Sequence, residues 1–425
     1  MFEVYTEIRR SEPKLDDIER YRSFNDALVG LDCWMLYDGL ADMIDPGLSD
    51  RDLKKIVILD HHPQTGVFEH PSIDFINPTA QFGMDEKCQA EILWGTLLYL
   101  YKQRHEKDLR EDHPVLYRHY RDLAVIGAVS DHRVGSKEIS GALREVYDDY
   151  LVSFNGFSNR LNIIIRKFSS VIGSKDQLHK SDIALSEIGL ASNFLLAPAT
   201  SRGGHDPRAL KTVLLDHDFN FKWLFEAEKH PAINAWSKDF YERASITFRL
   251  LDDSDYRHRF DHGVIFCKPR ERVESATLLI NLLGDFFKDW IVAVNIDNGR
   301  CSVVSIRNNN RPEIDANGLV RNLRGPFFAT GGGHPGAAGG ILKRGIEFGE
   351  EFQQAFIDEL IRQKETHTTE QKKAKVSWER IYHAIITSLE SLREYQKVVV
   401  VADRDIDGVV SEVFREEIFR LLGLT

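Results

Sequence analysis

Two rhythms of apolar positions divide the chain. Short strand-like runs stand at Phe2–Thr6, Cys33–Tyr37, Ile56–Leu59 and Val398–Val401, and the last two are apolar at every position. Such runs predict strands, and Ile56–Leu59 reads as buried on both faces, as strands of parallel sheets are. Between them, Glu86–Tyr101, Tyr117–Val129, Trp378–Tyr395 and Val409–Leu422 carry helical spacing. Strand–helix alternation argues for an α/β fold with a parallel sheet. Residues 136–258 are helical in pattern and poor in strand signals. A second mixed region follows, with strands at Gly263–Cys267, Trp290–Asn295 and Cys301–Ile306 and a helix at Ser275–Phe287. Asp297-Asn298-Gly299 predicts a hairpin turn between two of these strands.

The resulting organisation has five parts. Residues 1–135 form the first part of a parallel-sheet domain, 136–258 a helical connector, and 259–362 a smaller mixed α/β domain. Polar Gln363–Lys375 reads as a linker. Residues 376–425 add a helix, the four-valine strand and a closing helix.

Composition narrows the classes. The 425 residues are enough for two or three domains with cores of their own. No apolar run reaches about 18 residues, so no membrane span is expected. Met1–Glu7 lacks a basic region followed by an apolar one, so no secretory signal is expected. Cys33, Cys88, Cys267 and Cys301 are scattered and form no CxxC pair. Reduced thiols and a cytoplasmic location follow as the expectation. A formal net charge of −11 argues against a general nucleic-acid coat, though a local basic groove remains compatible with it.

The chemistry is carried by acids and imidazoles placed just after apolar runs. Asp38 follows Met35–Tyr37, and Asp60-His61-His62 follows Ile56–Leu59. Asp131 closes Leu123–Ser130, and Asp403 and Asp405 follow the four-valine run. Ligands of open α/β sheets gather beyond the carboxyl ends of the strands, so these groups can converge. Carboxylates suit hard divalent ions, and imidazole is tolerated by Mn²⁺. Two such ions about 3.5–4 Å apart are a recurring device for phosphodiester cleavage. A second candidate is Gly331-Gly332-Gly333-His334. Its glycines can approach an anion closely, and the small residues Pro335–Gly339 predict a helix start behind it. Ser201–Asp206 has a similar look, but reads as a helix-start loop with Asp206 as cap and Pro207 in the first turn. Arg202 and His205 are secondary candidates there.

Taken together, these segments resemble the DHH phosphoesterase family with its DHH-associated C-terminal domain. That family includes RecJ exonucleases, the oligoribonucleases called nanoRNases, and cyclic-dinucleotide phosphodiesterases. Asp403-Arg404-Asp405-Ile406-Asp407-Gly408 is similar to the D-x-D-x-D-G first motif. Tyr37-Asp38-Gly39 looks like the second, Asp60-His61-His62 is the third, and Gly127–Asp131 looks like the fourth. Ser305-Ile306-Arg307 resembles the S-x-R strand that accompanies the glycine loop. The resemblance covers most of residues 30–135 and 260–345 plus the tail. One departure is Val399, where several relatives place a histidine.

The resemblance implies a set of roles. Asp38 bridges two Mn²⁺ ions, with Mg²⁺ the alternative. Asp403 lies on one ion, while Asp405, His61 and Asp131 hold the other. His62 faces the scissile phosphate, Asp60 orients the histidines, and Asp407 supports the loop. Arg307, Gly331, Gly332, Gly333 and His334 hold substrate away from the scissile bond. Beside the resemblance, Arg311, Arg321 and Arg324 place positive charge nearby in the sequence, with solvated surface as their alternative reading. Substrate would lie in a cleft between the two domains.

The implied activity is hydrolysis of single-stranded DNA or RNA, in its sharpest form a RecJ-like 5′→3′ exonuclease releasing nucleoside 5′-monophosphates. The alternatives are an oligoribonuclease or cyclic-dinucleotide phosphodiesterase, and, from another class, a non-catalytic replication scaffold. Replication or repair proteins and a second copy of the chain are the further candidate partners.

The first motif stands near the C-terminus instead of opening the chain. Circular permutation relative to the family is the leading reading. A truncated second module and a tail that completes a neighbouring subunit are the others.

Overall fold

The computed structural model describes residues 3–8, 34–37, 55–61, 72–84, 87–131, 139–151, 153, 195, 207–252, 255–259, 263–269, 280, 283, 290–297, 301–308, 311, 313–366, 376–395, 397–402 and 406–424. The strands are β1 (Glu3–Ile8), β2 (Trp34–Tyr37), β3 (Ile56–Leu59), β4 (Ile73–Ile76), β5 (Asp255–Arg259), β6 (Val264–Lys268), β7 (Ile291–Asp297), β8 (Ser302–Asn308), β9 (Phe328–Gly333), β10 (Ala337–Leu342) and β11 (Lys397–Ala402). The main helices are α1 (Pro78–Phe82), α2 (Gln89–His105), α3 (Pro114–Ser130), α4 (Pro207–Leu214), α5 (Pro231–Asp252), α6 (Ala316–Asn322), α7 (Glu350–Thr366), α8 (Trp378–Ser391) and α9 (Ile406–Leu422). None of the described helices is long and apolar enough to cross a membrane.

The chain forms two compact units. The first comprises Met1–Asn155, Ala191–Asn234 and Lys372–Thr425; the second comprises Gly156–Leu190 and Ala235–Gln371.

In the first unit a five-stranded sheet runs β1-β11-β2-β3-β4, with every neighbouring pair parallel. Strand β3, paired on both sides, has all four side chains at most 1% exposed, which explains its uninterrupted Ile-Val-Ile-Leu sequence. The C-terminal strand β11 hydrogen-bonds between β1 and β2 of the same chain. It thus lies in the same sheet as β3, where a four-valine run finds partners on both sides.

Helices α2, α3 and α9 pack together in this unit. α2 opens with Cys88 as N-cap and Glu91 reaching back to the Cys88 N–H at 3.0 Å, a capping box. Pro114 starts α3, where its missing N–H costs nothing.

The segment expected as a helical connector divides between the units. Loop residues 219–221 bond to α3: His119 Nδ1 meets Phe219 O at 3.1 Å, and the Phe221 N–H donates to Asp122 Oδ2 at 3.2 Å. Strand β5 begins inside the stretch read as helical and ends one residue beyond it. It pairs antiparallel with the next strand in the chain, β6, Arg259 opposite Val264, so pairing with an apolar neighbour strand overrides its own polar Asp-Tyr-Arg-His-Arg sequence.

The second unit holds a six-stranded mixed sheet, β5-β6-β7-β8-β10-β9. Its core joins Val264, Phe266, Ile291, Val304 and Phe328 to Leu319 of α6 and to Phe352, Phe356 and Leu360 of α7. β7 and β8 form the expected hairpin, Asp297 opposite Ser302. α7 runs to Thr366, so the expected linker begins inside a helix; residues 367–375 lie outside the described residues.

Candidate metal centre

The carboxyl ends of β11, β2 and β3 lie side by side, because Leu36 stands opposite both Val401 and Ile58 in parallel register. In sequence, Ala402 leads into Asp403, Tyr37 into Asp38, and Leu59 into Asp60-His61-His62. Asp38, His62, Asp403 and Asp405 lie outside the described residues.

Pairing of β3 with β4 continues through Asp60, whose N–H donates to Ile76 O at 3.0 Å. Asp60 is buried, and its Oδ1 accepts the His61 N–H at 2.7 Å. The carboxylate therefore fixes the main chain that presents the imidazole.

His61, 1% exposed, places Nε2 at 3.5 Å from Asp131 Oδ2. Asp131 caps the C-terminus of α3, its N–H donating to Gly127 O at 3.0 Å. A carboxylate at a helix C-terminus faces the negative end of the dipole, which costs roughly 0.3–1 kcal/mol. Asp131 thus stands against the local electrostatic preference of its helix.

Asp407, in the first turn of α9, adds a second buried carboxylate. Its Oδ2 accepts the Gln89 N–H at 3.1 Å and its Oδ1 the Ala90 N–H at 3.0 Å. Burial, then the charge of Asp131, push its carboxyl up to about 6, with His61 opposing. Burial, followed by Asp407, Glu91 and Asp131, raises the neighbouring Cys88 thiol.

These residues fit a divalent cation. One imidazole nitrogen and one carboxylate oxygen suit Mn²⁺ better than an all-oxygen Mg²⁺ cage. Two ligands of one ion, each about 2.1 Å from it, sit roughly 3.0–3.4 Å apart, close to the His61–Asp131 spacing. A cation would also offset the repulsion between Asp131 and Asp407.

The second unit holds the other expected residues. Arg307 lies half-buried on β8, its Nη1 donating to Ile306 O at 3.3 Å, with Ala337 opposite. Nearby, Arg311 pairs with Glu313 at 3.0 Å.

Gly331, Gly332 and Gly333 are in edge strand β9, and His334 opens a tight turn into β10. The expected helix start at Pro335–Gly339 is thus corrected: this segment is a turn and a strand. The His334 N–H donates to Ala337 O at 2.7 Å, and the Ala337 N–H returns to His334 O at 3.1 Å.

The reason is close contact between glycines. Gly331 faces Gly340, and Gly332 faces Gly339. A Cβ on Gly331 would lie 2.6 Å from Gly339 O, and one on Gly333 would lie 2.4 Å from Ala337 O. Gly333 also has φ +142°. His334 is 7% exposed.

Sequence reasoning passed over Gln89 and Cys88 as neighbours of the site. The signal for them was Cys88-x-x-Glu91, the capping pattern that marks where α2 begins.

The first unit is therefore a parallel α/β sheet with a buried histidine beside a partly buried carboxylate at its carboxyl edge. No protein-family model matches the sequence, and no curated protein matches it. Among solved structures, the chain is similar to exonuclease RecJ bound to manganese, with 15% identity and a TM-score of 0.35 over 85% of this chain and 81% of that one. It is similar to RecJ from Thermus thermophilus in complex with Mn²⁺, with 13% identity and a TM-score of 0.40, covering 83% of this chain and 56% of that one. The Mg²⁺ complex from the same organism gives 13% identity and a TM-score of 0.38, covering 83% and 54%.

Proposed function

We propose that this chain is a divalent-metal-dependent phosphodiesterase acting on single-stranded nucleic acid, in its sharpest form a RecJ-like 5′→3′ exonuclease. The supporting observation is the meeting of His61 and Asp131 at 3.5 Å in the unit whose strands β11, β2 and β3 each lead into an acidic motif. In this reading Asp405, His61 and Asp131 hold one ion, Asp403 the other, and Asp38 both. Bound ions would supply Lewis-acid polarisation of the phosphoryl group and an activated water at neutral pH. Asp60 holds the His61 main chain, and His62 contacts the scissile phosphate. Arg307, Gly331, Gly332, Gly333 and His334 take a remote part of the substrate, where binding energy serves to position the reacting group. The first motif stands last in the chain, which we read as circular permutation.

A second reading, hydrolysis of very short RNA or of a cyclic dinucleotide, is favoured by the net charge of −11, which suits a small substrate better than a long polyanion. The test offers purified protein with Mn²⁺ labelled single-stranded DNA, short RNA and cyclic dinucleotides side by side. His61→Ala and Asp38→Ala are expected to lower the rate by orders of magnitude with the fold intact. Near-wild-type rates and tight metal binding in Asp38→Ala would refute the two-metal reading.

A further inference from the structure

Asp407 is 1% exposed and joins three helices. It belongs to the first turn of α9, immediately after the segment that carries Asp403 and Asp405. Each of its oxygens takes one free N–H of α2, from Gln89 at 3.1 Å and Ala90 at 3.0 Å. A carboxylate here satisfies two of the amides that a helix start leaves open.

The third contact is with α3. A Cβ on Gly127 would lie 3.1 Å from Asp407 Oδ1 and 2.5 Å from the Ala90 side chain. Three helices thus meet with no room for a methyl group. Gly127 in turn builds the turn that ends in Asp131: its carbonyl accepts the Asp131 N–H at 3.0 Å and the Ser130 hydroxyl at 2.7 Å.

We propose that Asp407 is a positioning residue of the metal centre. It does not ligate the ion. By holding α9 and α2 against Gly127, it sets where the last turn of α3 delivers Asp131 beside His61. The inference rests on the metal-centre reading above.

The variants follow from the geometry. Asp407→Asn keeps the shape but supplies one acceptor for two N–H groups, so a side-chain amide must face a backbone amide. Gly127→Ala forces the helices apart. Gly127→Ala with Ala90→Gly removes the 2.5 Å clash and leaves the smaller one against Asp407. Asp108→Ala is the control, removing an exposed cap that accepts the Arg110 N–H at 2.8 Å on another helix.

Mn²⁺ affinity is measured by titration calorimetry on each full-length protein, with circular dichroism confirming the fold. Residues that support metal ligands typically change affinity about 10–100-fold. Asp407→Asn is expected to weaken Mn²⁺ binding by about that factor, and saturating Mn²⁺ is expected to restore turnover. The double variant should bind better than Gly127→Ala alone, and Asp108→Ala should bind like wild type. Unchanged Mn²⁺ affinity in folded Asp407→Asn, with only a lower melting temperature, would reduce Asp407 to a helix cap and overturn the inference. Should Asp407→Asn not fold, equal Mn²⁺ affinity in the double variant and wild type overturns it instead. A wild-type protein that binds no divalent ion would instead defeat the metal-centre reading itself.

Discussion

Replacing each glycine of the 331–333 run by alanine separates packing from binding. At Gly331 the added methyl would lie 2.6 Å from Gly339 O, 2.7 Å from Gly340 Cα and 2.7 Å from Val320 Cγ1. Two of these atoms are backbone in the paired strand and cannot swing away. Overpacking of this kind costs about 1–3 kcal/mol, and contact with two fixed atoms places Gly331→Ala near the upper end. Gly333→Ala meets Ala337 O at 2.4 Å and must also hold φ +142°, which adds about 1–3 kcal/mol of backbone strain. Gly332 is exposed, and its nearest neighbour would be Asn317 Oδ1 at 3.7 Å. Alanine there should leave stability within about 0.5 kcal/mol or raise it, because glycine is the poorer strand residue. Urea denaturation reads the difference: a loss of about 3 kcal/mol at an m-value of about 2 kcal/mol/M lowers the midpoint by about 1.5 M. Gly332→Ala should keep the wild-type midpoint and still lose affinity for a non-cleavable oligonucleotide, because the methyl blocks close approach to the strand. The packing argument fails if Gly331→Ala unfolds within about 0.3 M of wild type. The binding role of Gly332 fails if its alanine variant binds as tightly as wild type.

Three further outcomes are expected. Asp122 is fully buried and accepts from Arg121 at 2.7 Å, Tyr150 at 2.7 Å and the Phe221 N–H at 3.2 Å, so Asp122→Ala should cost about 3–5 kcal/mol; a loss below about 1 kcal/mol in chemical denaturation would refute this. Burial, the largest influence, holds the His119 imidazole below its ordinary value of 6.5, so the unfolded chain takes up a proton first and stability present above pH 6.5 is lost as pH falls below it. His119→Asn can keep a donor toward Phe219 O and should flatten that decline, measured as urea midpoint against pH. Arg307→Ala should weaken a non-cleavable oligonucleotide about 10–100-fold, as loss of a charge-assisted bond does, while Mn²⁺ affinity measured beside it stays constant.

Local pattern determined a good deal of this protein. Ile56–Leu59 is apolar at every position because it lies inside a parallel sheet, and that is legible without any partner. The valine run of β11 announces a strand in the same way, and that strand pairs on both sides. Asp131 at the end of an apolar helix, and acids following three strands, stand out as polar groups where an apolar element stops.

Only the tertiary structure decided what each element meets. β11 enters between β1 and β2, and that choice depends on hydrogen bonds between opposite ends of the chain. Residues 219–221 join the first unit because His119 and Asp122 bond to their backbone, a demand that no periodicity in the segment encodes. The glycines after Phe328 suit a loop before a helix as well as a strand, because small residues permit either form. Their place in a hairpin was set by strands that approach too closely for any side chain. Asp407 looks in sequence like one more acid of a motif. Its bonds to Gln89 and Ala90, and the missing methyl of Gly127 beneath it, exist only once three helices distant in sequence have packed.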